Sequence, residues 1–149
     1  MPVRNIAHDN AKKAFDAITD VKENHPDAKK EYLSLVRGAD TFIHQCGLIQ
    51  TLAFYLAKNK EGKEHHRLLL DHLLKHLIDN LPKSGSNRLL DGYNTLLNKK
   101  DDTLMLDTAK IRKYLLWLKR YAEAILDEKK QNNGGGTDGD SNQPETARS

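Results

Sequence analysis

Residues 104–125 read Leu-Met-Leu-Asp-Thr-Ala-Lys-Ile-Arg-Lys-Tyr-Leu-Leu-Trp-Leu-Lys-Arg-Tyr-Ala-Glu-Ala-Ile. Leu104, Thr108, Ile111, Leu115, Leu118, Ala122 and Ile125 recur in alternating steps of four and three, the spacing that keeps one face of an α-helix apolar. A second stripe, Tyr114, Trp117 and Tyr121, runs beside the first. Two adjacent stripes predict a long helix, from Thr103 to Lys130, buried over more than half its circumference. Asp101 and Asp102 place negative charge at its start, where the helix dipole favours it.

Working outward, the rest of the chain also reads as helix. Ala7, Ala11, Ala14, Ile18 and Val21 mark a first helix from Val3 to Lys22, ended by Pro26. Asp27 can cap a second that runs to Arg37, with Gly38 placed to stop it. A third starts at Asp40 or Thr41 and passes through Phe42, Ile43, Cys46, Ile49, Ala53 and Ala57. Gly47 falls inside it, and a mid-helix glycine costs about 1 kcal/mol relative to alanine, so a close neighbour is expected there. A fourth, Glu64 to Leu81, is rich in leucine, and a short fifth, capped by Ser86, carries Leu89, Leu90, Tyr93, Leu96 and Leu97. Residues 131–149 contain three consecutive glycines and one apolar residue, Ala147, too little to offset their ordering entropy. The expectation is an all-α fold: one compact bundle of about six helices over residues 1–130, then a disordered tail.

Composition supports this and narrows the function. Apolar residues are 38% of the chain and charged residues 30%, while runs of β-branched residues are almost absent. The single Cys46 excludes an internal disulfide and a cysteine-based zinc site. No apolar stretch approaches the ~20 residues that span a bilayer, and the first residues lack the apolar run of a signal peptide. A cytoplasmic protein is expected. Net charge is +3, and because residues 131–149 carry Asp138, Asp140 and Glu145 against Arg148, the preceding 130 residues hold +5. That mild excess is compatible with an anionic partner.

The cations of the last helix are not scattered. Lys113 and Arg120 stand one heptad apart, as do Arg112 and Lys119, so they line two neighbouring rows with Leu116 between them. A basic strip with an exposed leucine suits a surface that meets both phosphate and protein. The tyrosines and tryptophan could stack RNA bases, although aromatics at helical spacing are more often core.

Two segments carry a family resemblance. Residues 47–58, Gly-Leu-Ile-Gln-Thr-Leu-Ala-Phe-Tyr-Leu-Ala-Lys, resemble the glycine-leucine to alanine-phenylalanine segment of the small subunit of the type III-B CRISPR (Cmr, RAMP-module) effector. Residues 114–124, Tyr-Leu-Leu-Trp-Leu-Lys-Arg-Tyr-Ala-Glu-Ala, resemble its C-terminal tryptophan-leucine-lysine-arginine signature, and the alanine-rich first helix with Ala11, Ala14 and Phe15 also fits. The chain departs from the family pattern at Asp40-Thr41, where members often have proline, and at Lys110, where they often have an acid.

The resemblance implies a non-catalytic subunit that stacks in several copies into a filament. It lies beside the subunits holding the guide RNA and helps keep target RNA paired to that guide, in antiviral defence. Sequence readout then belongs to base pairing, and no base-reading motif is needed. Lys119 and Arg120 carry over first as RNA contacts because they lie in the signature. Lys113 joins them on the same helix, with Arg37, Lys58, Lys12 and Lys13 as candidates from neighbouring helices, and Leu116 as a candidate subunit contact. Other subunits of the effector and copies of the chain itself are the expected protein partners. The rival is a helical protein-interaction module that never touches nucleic acid.

Enzyme readings are weak. His72 and His76 share a helical face at a spacing two metal ligands could use, with His65 two turns earlier, but leucine occupies the place of a metalloprotease glutamate. A histidine-rich solvent edge is the plainer expectation. His8-Asp9 lacks a preceding histidine, and His44 and Cys46 point about 200° apart on a helix, which leaves His44 as a satisfied buried residue. No phosphate-binding loop or isolated carboxylate pair is visible. Catalytic residues, metal and cofactor are expected to be none.

Overall fold

The computed structural model describes residues 5–127; the tail expected over residues 131–149 lies outside them. Among the described residues the secondary structure is helical, with no strand. Helix α1 spans Ile6–Asn24, a 3-10 turn Pro26–Ala28 follows, and then come α2 (Lys29–Cys46), α3 (Leu48–Lys60), α4 (Glu64–Leu77), α5 (Arg88–Leu97) and α6 (Asp101–Ile125). Asn5 caps α1 by accepting a 3.0 Å hydrogen bond from the His8 amide, which satisfies one of the free donors of the first turn.

Helix count and class agree with the sequence reading, but boundaries move: α4 ends at Leu77 rather than Leu81, α6 at Ile125 rather than Lys130, and the break between α2 and α3 shifts furthest. Helix α2 runs straight through Gly38, which is exposed and has open space where a side chain would go. The break falls at Gly47 instead, whose φ of +86° is backbone that side-chain-bearing residues rarely adopt. The chain turns there so that α3 can pack on α4 and α5 as well as on α2. The close approach expected at Gly47 occurs at Gly92: a β-carbon there would sit 2.6 Å from Leu81 Cδ1 and 3.2 Å from Leu74 Cδ1. Small size thus lets α5 lie against α4.

The most enclosed helix is α4, not α6. Leu68, Leu69, Leu70, Leu73, Leu74 and Leu77 are buried, and so are His66, His72 and His76. His72 and His76 were expected on a solvent edge, with His65, which is half-buried. His66, His72 and His76 lie inside because α4 is covered by α2, α3, α5 and α6 together. His72 shares a 2.7 Å hydrogen bond with the Tyr32 hydroxyl of α2. The ring of His76 stacks on Tyr114 of α6 at 4.0 Å with planes 2° apart. His44, by contrast, is exposed rather than buried.

Helix α6 lies in the trough between α1 and α2. It buries Ile111, Tyr114, Leu115, Leu118 and Ala122, whereas Trp117 and Tyr121 are half-buried. The buried arc is therefore narrower than the two stripes imply, and a full side of α6 faces outward. Lys99 ties its start to the bundle, with Nζ donating to Asp107 Oδ2 at 2.7 Å and to the Leu77 carbonyl at 3.2 Å.

Candidate nucleic-acid interface

The helical repeat dictates which α6 side chains face outward. With Ile111, Leu118 and Ala122 inward, Lys113, Leu116 and Arg120 stand on the opposite side, while Arg112 and Lys119 lean toward α2 and Trp117 and Tyr121 toward α1. Lys113, Lys119 and Arg120 are exposed, and none has a carboxylate within 4.0 Å among the described residues. Leu116 is 49% exposed between them.

Two cations near this strip are already engaged. Arg112 clamps Asp40 of α2, with Nε donating to Oδ1 at 2.7 Å and Nη2 to Oδ2 at 3.3 Å. That hydrogen bonding holds the Asp40 carboxyl below its ordinary pKa. Arg37 reaches the C-terminal end of α6, donating to Glu123 at 3.1 Å and Asp127 at 3.4 Å. Both pairs are exposed enough that each stabilises only modestly. Their larger effect is to leave Arg37 and Arg112 less available to a phosphate. The partners lie 72 to 90 residues away, so no local pattern could have marked them.

The remaining candidates separate. Lys58 sits near the end of α3, 3.6 Å from Glu61 and 5.4 Å above the Phe54 ring, away from the α6 strip. Lys13 lines a groove with Asp16, Asp20, His72 and His76. Lys12 lines a different groove, of about 480 Å³, with His8, Phe15, Trp117 and Tyr121. There Phe15 meets Tyr121 edge-on at 5.5 Å, Trp117 and Tyr121 stack at 5.9 Å, and the Arg120 guanidinium lies 5.9 Å over Trp117. Phe15 is the residue that site reasoning from the sequence left out. Its position beside Ala11 and Ile18, against an aromatic stripe, was the available signal.

Among the described residues no group of three or more histidines, cysteines or acids is arranged to hold a metal ion. No described helix is long and apolar enough to cross a membrane.

Comparison with known proteins places this architecture. A family model described as "CRISPR-associated protein (Cas_Cmr5)" matches residues 6–125, nearly all of the described chain. The fold is similar to the crystal structure of a CRISPR-associated Cmr5 family protein from Thermus thermophilus. That match has a TM-score of 0.66 and 22% sequence identity, and covers 84% of this chain and 100% of that one. With the motifs of α3 and α6, the long outer helix and the family match in agreement, the chain belongs to the Cmr5 family and is a type III-B CRISPR subunit.

Proposed function

We propose that this chain is a non-catalytic, cytoplasmic subunit that stacks in several copies along a type III-B ribonucleoprotein. In that position it helps hold target RNA against the guide during antiviral defence. The observation that carries the reading is the outward face of α6, where Lys113, Lys119 and Arg120 stand exposed beside the exposed Leu116 with no carboxylate within 4.0 Å among the described residues, Asp40 acting on Lys119 only at longer range. One copy offering on the order of two to four phosphate contacts binds RNA weakly, with log K falling by about 0.7 per contact per decade of salt. Several copies in register turn such contacts into useful avidity. A modest charge excess therefore suits a repeated subunit better than a free-standing RNA-binding protein. Leu116 would meet a neighbouring subunit.

The test is charge reversal of Lys119→Glu with Arg120→Glu in the assembled complex. Target-RNA affinity should fall and the salt slope should flatten by about 1 to 1.5 units, with helicity and melting unchanged. Unchanged affinity at matched salt would reject the assignment. It would favour the second reading, a protein-interaction surface without nucleic acid, for which the exposed Leu116 and the internal pairing of Arg37 and Arg112 speak.

A further inference from the structure

Grooves of different chemistry border α6. The one between α2 and α6 contains Asp40, and the one beside His72 and His76 contains Asp16 and Asp20. The groove between α1 and α6 has no acid in its lining. Its floor is aromatic, from Phe15, Trp117 and Tyr121, and its polar lining includes His8 and Lys12. Asp9 and Asp16 stand roughly 100–120° around α1 from Phe15 and are not in the groove's lining, although both lie about one turn from Lys12. Phe15 leaves 49% of its surface in water although a buried apolar face of α1 is one residue away at Ala14. Arg120, over Trp117, brings a second cation to this face.

We propose that this groove binds one unpaired RNA base by stacking, with Lys12 and Arg120 receiving the flanking phosphates. The inference rests on the RNA-contact role proposed above and adds to it a site for the base itself. Flat, half-exposed rings accept any base, because every base has a π-face, and adjacent cations complement the phosphates that come with it. An apolar protein side chain would use the rings but would gain nothing from the cations. A paired base inside a duplex presents no free face. The ligand is therefore a nucleotide displaced from, or lying beyond, the guide–target duplex.

Trp117 is the chain's only tryptophan, so the site reports on itself. The experiment titrates the full chain at low salt with oligouridylate of about ten nucleotides, an abasic oligonucleotide of equal length, and a blunt RNA duplex, following Trp117 emission. Oligouridylate should alter the emission and bind about ten-fold more tightly than the abasic strand, as expected for one stacked base, while the duplex leaves the emission unchanged. Phe15→Leu keeps an apolar residue on α1 and should abolish that preference without changing abasic binding. Lys119→Glu should weaken both strands alike. Equal binding of oligouridylate and abasic strand with unaltered emission would overturn the base site and leave the phosphate-contact role standing. An equal response to duplex, or failure of every RNA to bind at low salt, would also overturn it, the phosphate-contact role being decided separately by Lys119→Glu with Arg120→Glu in the assembled complex.

Discussion

His76 lies flat against Tyr114 at 4.0 Å, yet among the described residues neither of its ring nitrogens finds a hydrogen-bond partner. Burial, with Lys110 and Lys13 nearby, pushes its pKa down to about 4. Burial does the same to His72, also to about 4, where Lys75, His25 and Arg67 oppose protonation and Asp20 favours it. His66, next to His65, Lys58 and Lys63 with Glu61 opposing them, is likewise pushed down to about 4, chiefly by burial. The unfolded chain takes up these protons near pH 6.5 and the folded chain only near 4, so between those values the unfolded state binds more protons. The histidine contribution to stability should therefore be level above pH 7 and fall as pH drops from 6.5 to 4, with His72 alone accounting for on the order of 3 kcal/mol. Thermal melts across that range check it, and a midpoint that holds steady to pH 4 would contradict it. His76→Phe keeps the stacked ring and removes two unpartnered nitrogens. It should raise the melting temperature at pH 7 by about 3–5 °C and reduce the acid sensitivity. That these histidines are interior could not be read from α4, because the partner of His72, Tyr32, lies 40 residues earlier.

At the scale of the element, the apolar spacing sufficed for α1, α4, α5 and α6, whose existence and rough bounds follow from steps of three and four. It did not distinguish Gly38 from Gly47. Local propensity penalises both equally, and what separates them is tertiary. Helix α2 packs on α4 and α6 along its length, so it tolerates an exposed glycine, whereas the direction of α3 demands a backbone turn at Gly47. The two alanine substitutions should therefore have opposite signs. Gly38→Ala should stabilise by about 0.5–1 kcal/mol through helix propensity and a less flexible unfolded chain. Gly47→Ala should destabilise by about 1–2 kcal/mol because its φ is positive. Urea unfolding of both variants checks the pair, and destabilisation by Gly38→Ala would contradict the continuous α2.

For the whole molecule, the outward cations of α6 were legible as a polar edge between apolar rows. Which of them are free was not, since that depends on Asp40, Glu123 and Asp127 reaching Arg112 and Arg37 from across the bundle. The structure leaves Lys113, Lys119 and Arg120 on one side of α6 and Lys12 across the aromatic groove, while Lys58 stands apart on α3. Lys58→Glu should accordingly leave RNA retention unchanged under salt conditions where Lys119→Glu reduces it several-fold, a contrast that filter binding of the assembled complex can measure. The most direct measurement is to irradiate cells carrying a tagged copy with ultraviolet light, purify the native assembly, and map RNA adducts on this chain. The account predicts recovery of the other type III-B subunits with guide RNA, and adducts concentrated between Lys113 and Tyr121. Recovery of protein partners without RNA, or adducts confined to the α3–α5 side, would contradict it.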